Sequence, residues 1–77
     1  MNDVVTLSDI ELNCICTVDK IKCDGMIRHR LMDIGIIPGA KIECVLESPS
    51  GNPRGYFVKG SLFAIRNEDA DLIEVLL

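Results

Sequence analysis

The sequence predicts a mostly β fold: a small closed or nearly closed barrel of about five strands, with one short α-helix at about residues 25–34 and one or two helical turns. Its 77 residues, 48% apolar and 26% charged, suit a single globular domain spanning residues 1–77. Five short apolar segments lie between turn residues, whereas only one segment has helical spacing. Closure would remove the exposed edges that an open five-stranded sheet leaves.

The first quarter of the chain predicts a helical turn followed by an irregular strand. Residues 6–12 are typical of a turn capped by Ser8, with Glu11 completing a capping box. Asn13 then suits the left-handed conformation that ends such a turn. Residues 14–23 form a strand whose apolar alternation slips by one position near residues 19–20, as a β-bulge would cause.

The helix and the turn after it have the clearest local pattern. Ile27, Leu31 and Ile34 recur at the spacing of one helical face. Gly35 follows at once, where a helix commonly ends in a left-handed residue. The sequence Ile-Pro-Gly-Ala at residues 37–40 then predicts a type II turn.

The second half of the sequence predicts four further strands. Residues 42–46 alternate, with only Val45 out of pattern. Proline, glycine and serine mark residues 48–55 as a loop. The remaining predicted elements are strands at 56–59 and 62–65 joined by a tight turn at residues 60–61, a capped turn at 67–70, and a strand at 72–76.

Charge and hydropathy exclude several classes of function. The net charge is −4 and both halves of the chain are acidic, which argues against a general nucleic-acid binder. No apolar run approaches the roughly 20 residues of a membrane span, so we expect no direct membrane insertion. The first residues do not resemble a signal peptide. We therefore expect a cytoplasmic protein whose four cysteines stay reduced.

Residues 30–42 read RLMDIGIIPGAKI. This motif is similar to R-L-x-(D/E)-L-G-(I/L/F)-x-P-G, the signature of the FeoA family, the small cytosolic companions of the bacterial ferrous-iron transporter FeoB, and the order of motifs along the chain resembles that family. Residues 49–53 match its P-x-G-D-P loop, except that Asn52 replaces the aspartate. The similarity continues through residues 58–66 and 70–75, so it covers roughly the whole chain. The positions that carry the structural motif are Leu31, Gly35, Pro38, Gly39 and Gly60.

This resemblance implies an SH3-like barrel and a non-enzymatic accessory or regulatory role in ferrous-iron uptake, through docking on the cytosolic part of FeoB. The same fold resembles the C-terminal domain of iron- and manganese-dependent repressors, and a free-standing relative of that domain is an alternative. No winged-helix segment precedes the barrel in this sequence, so we do not expect a stand-alone repressor. No nucleophile–base pair or carboxylate dyad indicates catalysis, and we expect no enzyme.

A metal-linked family makes the cysteines candidates for a transition-metal site. Cys14 and Cys16 are separated by one residue, which is closer than the usual spacing of structural zinc ligands. Small buried hydrophobes are the commoner role of free cysteine. His29 and Asp33, four residues apart, are as typical of an exposed helix pair as of a ligand set. The alternative function is therefore a small Fe(II) or Zn(II) sensor or carrier that uses these thiols.

Basic residues around the helix are the candidates for partner binding. Arg28 and Arg30, together with Lys20 and Lys22, contrast with the acidic remainder and could steer an acidic partner surface. Met32 lies beside them as a candidate apolar contact. The strand at the C-terminus could pair with a second copy, so a homodimer is also possible.

Overall fold

The computed structural model describes residues 4–77. Residues 1–3, which belong to the predicted domain and to the N-terminal segment that does not resemble a signal peptide, lie outside the described residues. The elements in chain order are β1 (Val4–Thr6), a 3₁₀ turn (Leu7–Asp9), β2 (Ile15–Ile21), α1 (Gly25–Asp33), β3 (Lys41–Glu47), β4 (Arg54–Val58), β5 (Ser61–Ile65), α2 (Asn67–Ala70) and β6 (Ile73–Leu76).

The strands form one antiparallel sheet in the order β1-β6-β2-β3-β4-β5. The mostly β class is confirmed, with one strand more than expected. The additional strand is β1, which pairs with β6 through Val4↔Leu76 and Thr6↔Glu74. It is three residues long and its partner lies at the far end of the chain, so local alternation could not predict it.

Two irregularities in the sheet coincide with two irregularities in the sequence. The β2–β6 register shifts between Val18 and Lys20, which confirms the predicted bulge. The β3–β4 register shifts between Cys44 and Leu46. Val45, the residue that breaks the alternation of β3, lies within that shift, so a second bulge explains the break.

Helix α1 ends as the sequence predicts. Gly35 has φ +103° and Gly39 has φ +91°, both in the region that favours glycine. The Ala40 N–H donates to the Ile37 carbonyl at 3.0 Å, which closes the predicted turn. Between the two glycines, Ile36 is fully buried in the core. This unit therefore fixes how α1 lies against the sheet.

Three local predictions are wrong in detail. Ser8 does not cap a turn: the 3₁₀ turn begins after Thr6 and makes no side-chain cap bond, and Ser8 lies within it. The β4–β5 hairpin turns at Lys59–Gly60, one residue earlier than predicted, because Lys59 adopts φ +49°. Strand β4 begins at Arg54, within the predicted 48–55 loop, because Arg54 pairs with both neighbouring strands.

Strand β6, the candidate for pairing with a second copy, is not an edge of the sheet. It lies between β1 and β2 and pairs with both. Its residues Ile73 and Val75 are fully buried. The outermost strands are β1 and β5.

Side chains of β4 connect the sheet to the 3₁₀ turn across the barrel. Arg54 is 6% exposed, and its guanidinium donates to the carbonyls of Ser8 at 2.8 Å and Ile10 at 2.5 Å. The Tyr56 hydroxyl donates to the Leu7 carbonyl at 3.5 Å. The Ser8 hydroxyl also donates to the Asp71 carboxylate beyond α2. Side-chain bonds to backbone carbonyls thus attach the 3₁₀ turn to β4.

The core is a single cluster of apolar side chains enclosed by the sheet, α1 and α2. Its fully buried members include Leu7, Ile36, Ile42, Tyr56, Val58, Ile73 and Val75. Among residues 4–77, no helix has the length and apolar character needed to cross a membrane.

Candidate functional site

The cysteines lie near one another but are poor metal ligands. Cys16 on β2 is 2% exposed and its thiol donates to the Ile42 carbonyl at 3.6 Å. Burial, with smaller contributions from Cys44 and Cys14, raises the pKa of Cys16 from 9.0 to about 11. Burial likewise raises the pKa of Cys44, although Arg54 opposes the shift. Metals bind the thiolate form, whereas a pKa near 11 keeps the Cys16 thiol protonated at neutral pH. The raised pKa of Cys44 disfavours its thiolate in the same way.

His29 and Asp33 do not extend the cysteines into a ligand set. Both lie on α1 and are exposed, whereas Cys14 and Cys16 lie at the start of β2. Within the described part of the chain, no group of three or more histidine, cysteine, aspartate or glutamate side chains could hold a metal ion. The residues present therefore do not fit a resident metal site.

The basic residues of α1 differ in what they contact. Arg28 is partly buried, and its guanidinium donates to the Ile21 carbonyl at 3.2 Å, which attaches α1 to the end of β2. Arg30 is exposed, and Met32 is 40% exposed. Of the three, Arg30 and Met32 are free to meet a partner, and the partner-binding role of all three residues stays a prediction.

A cleft lies between α1 and β5. Its volume is about 380 Å³, near the lower end of the roughly 300–1,000 Å³ usual for ligand pockets. Its apolar lining comes from both elements: Ile27, Leu31 and Ile34 of α1, and Phe63, Ala64 and Ile65 of β5. Its charged lining is Arg30, Asp33 and Asp69. Arg30 and Asp33 are thus the two predicted site residues that the structure brings together in one concave site.

Sequence reasoning missed this cleft because its two walls lie about thirty residues apart in the chain. The sequence predicts that Ile27, Leu31 and Ile34 share one helical face. Leu31 is buried, but Ile27 remains 40% exposed because the helix stands off from β5 at the cleft. The sequence signal for this wall of the cleft is the absence of charged residues from Ser61–Ile65, the segment that forms β5.

The outer face of the sheet beside β5 is also apolar. Leu46 on β3, Phe57 on β4 and Leu62 on β5 are 54%, 44% and 52% exposed. Phe57 and Leu62 are direct cross-strand partners. Leu46 and Leu62 both approach Gly55, where an added Cβ would lie 3.0 Å from the Leu46 Cβ and 3.4 Å from Leu62. Contiguous exposed apolar side chains of this kind typically mark interaction surfaces.

Comparison with protein families gives a match over nearly the whole chain. The model of the FeoA domain matches residues 5–77. The chain belongs to the FeoA family. The resemblance noted in the sequence is thereby confirmed over nearly the whole chain.

Solved FeoA structures have the same fold. FeoA from Chlorobium tepidum is 29% identical, with TM-score 0.89 over 95% of this chain and 70% of that one. A crystal structure of FeoA described as an iron uptake regulatory protein is 30% identical, with TM-score 0.84 over 96% of both chains. A zinc complex of FeoA from Stenotrophomonas maltophilia, described as an SH3-domain protein, is 27% identical, with TM-score 0.82 over 92% and 88% of the chains. The SH3-like fold is thus confirmed.

More distant structures share the fold alone. IdeR from T. acidophilum is 21% identical, with TM-score 0.84 over 96% of this chain and 34% of that one. A manganese-dependent transcriptional repressor is 14% identical, with TM-score 0.86 over 99% and 42% of the chains. A comparison with curated proteins found no match.

Proposed function

We propose that this FeoA-family chain is a non-enzymatic accessory protein of ferrous-iron uptake. It acts in the cytoplasm as an interaction module that docks on the cytosolic part of a FeoB-type transporter. The observation that carries the proposal is the family match over residues 5–77. One FeoA relative is described as an iron uptake regulatory protein. Another, solved with zinc, is described as a candidate activating factor of ferrous-iron transport.

The surface of the chain supports a binding role. Two apolar areas remain exposed on a small domain: the cleft between α1 and β5, and the outer face around Phe57. Arg30 lies at the cleft and makes no ion pair within residues 4–77, where the ion pairs are Lys22–Glu74 and Arg54–Glu47. A free guanidinium beside an apolar cleft suits contact with an acidic partner.

A metal carrier that uses the cysteine thiols is less well supported. The zinc complex of the Stenotrophomonas relative favours that alternative. In this chain, however, Cys16 is almost fully buried, and its pKa near 11 keeps the thiol protonated at neutral pH. Metal binding would need Cys16 to be exposed and deprotonated.

The test is a calorimetric titration of the full chain into the purified cytosolic part of a FeoB-type transporter. We expect saturable binding with a Kd in the micromolar range, which corresponds to about −8 kcal/mol. Arg30→Glu should weaken binding about fivefold at low salt, and the difference should shrink at high salt because screening weakens exposed charges.

Lys41→Glu is the matched control, since Lys41 is an exposed cation on β3 that does not line the cleft. This variant makes the same charge change and should bind within twofold of the wild type. Absence of binding by the wild-type chain at millimolar concentration would overturn the proposed function. An equal loss in both variants would assign the effect to net charge instead of Arg30.

A further inference from the structure

The outer side of edge strand β5 is open. Among residues 4–77, β5 pairs only with β4, through the two-residue turn Lys59–Gly60, in which both φ angles are positive. This is the type I′ hairpin turn, so the flanking residues Val58 and Ser61 form a hydrogen-bonded pair. Such pairs alternate along an antiparallel ladder. The N–H and C=O groups of Leu62 and Ala64 therefore point away from β4, toward the open side.

This edge has few of the features that protect natural sheet edges from pairing. Charged residues, prolines, bulges or a covering element usually block an edge strand. The five residues of β5, Ser61–Ile65, include no charge and no proline, and Leu62 and Ala64 are exposed. Helix α1 approaches the strand but leaves the cleft between them. The other edge, β1, spans only three residues.

A strand added to β5 would meet apolar surface on both of its faces. Side chains alternate between the two faces of a strand. On one face they would enter the cleft, beside Phe63 and against Ile27 and Ile34 of α1. On the other face they would lie beside Leu62, which is next to Phe57 on the outer face of the sheet.

The charges at the cleft indicate the composition of such a strand. The cleft presents one guanidinium, Arg30, and two carboxylates, Asp33 and Asp69. None of the three belongs to an ion pair within the part of the chain that the structure describes. An occupant with an acidic side chain for Arg30 and a basic side chain for Asp33 and Asp69 would complement all three.

We infer that β5 and the cleft bind an extended peptide segment of the partner protein, which pairs with β5 as a seventh strand. The segment has alternating apolar residues that enter the cleft, flanked by one acidic and one basic residue. Its backbone bonds to Leu62 and Ala64 supply affinity, and the cleft supplies specificity, as in other cases of strand addition. This inference rests on the proposed function, because the partner is the cytosolic part of the transporter.

The test compares variants of the edge in the same titration with the cytosolic part of the transporter. Ala64→Pro removes an outward N–H without removing a bond to β4, and proline is tolerated at such edge positions. We expect it to weaken binding about tenfold. Ala64→Val keeps the N–H and should bind within twofold of the wild type.

Two further variants keep the inference testable if the proline variant fails to fold. Leu62→Lys places a charge on the exposed edge and should also weaken binding about tenfold. Asp33→Lys places a cation at the C-terminal end of α1, where the helix dipole favours it, so the fold should be retained. This variant should lose at least threefold in affinity. In the wild-type complex, the amides of Leu62 and Ala64 should become protected from hydrogen exchange.

The outcomes separate this inference from the proposed function. If the wild-type chain does not bind the transporter fragment, the proposed function and this inference both fail. If the wild type binds and the edge variants bind equally well, docking occurs elsewhere: the proposed function stands and this inference is overturned. If Ala64→Pro instead abolishes self-association of the chain in sedimentation, the occupant of β5 is a second copy, and the inference is likewise overturned.

Discussion

Arg54 attaches β4 to the 3₁₀ turn, a role that the sequence does not predict. It stands in a segment rich in proline, glycine and serine, which predicts a solvated loop. In the structure its guanidinium is buried, lies 5.7 Å from the centre of the Tyr56 ring, and is 3.6 Å from the Glu47 carboxylate. Its partners are backbone carbonyls more than forty residues away. No local pattern could predict these contacts, because the carbonyls carry no sequence signal.

Replacing this arginine should destabilise the fold strongly. Arg54→Met keeps much of the side-chain volume but leaves the carbonyls of Ser8 and Ile10 without their donors. Hydrogen bonds to a charged group contribute about 1.5–3 kcal/mol each, so we expect a loss of about 3 kcal/mol in the free energy of unfolding, measured by urea denaturation. Arg66→Met, at an exposed position, should change it by less than about 0.5 kcal/mol. A loss below about 1 kcal/mol for Arg54→Met would contradict this role.

At the scale of elements, the sequence predicts a helix, turn or strand correctly where the residues that determine it are close together in the chain, and fails where they are far apart. Helix α1 and the turn after it were predictable because their determinants, the apolar spacing and Gly35 and Gly39, are local. The bulge in β2 was visible as a slip in alternation. Strand β1 was missed because the strand it pairs with, β6, lies at the far end of the chain. The hairpin turn was placed one residue late, since a lysine at positive φ is uncommon.

The turn that orients α1 gives a test at this scale. An added Cβ at Gly39 would meet no atom of residues 4–77 within 4 Å, so Gly39→Ala probes the backbone conformation alone. A left-handed conformation costs an L-residue about 1–2 kcal/mol, and we expect a loss of about 1 kcal/mol in thermal or urea unfolding. Gly39→Asn should lose clearly less, because asparagine tolerates positive φ. Equal losses in the two variants would contradict the assignment of the cost to φ, since both variants keep the N–H that donates to the Val18 carbonyl.

At the scale of the whole molecule, the sequence predicts the family and the fold class better than the site. The FeoA motifs are distributed along the chain and fix the SH3-like barrel. The cleft and the open edge arise only when α1 is placed beside β5. Of the residues predicted for partner or metal binding, Arg30 and Asp33 line that cleft, Arg28 is held by Ile21, and Cys16 is buried in the core.

The first measurement to make is a nuclear magnetic resonance titration of the ¹⁵N-labelled full chain with the cytosolic part of a FeoB-type transporter. The account predicts saturable shifts of backbone amide signals that concentrate on α1 and β5, including Leu62 and Ala64, while signals of β1 and β2 stay largely in place. An unchanged spectrum at millimolar fragment would contradict the docking function. Saturable shifts confined to β1 and β2 would contradict the assigned surface.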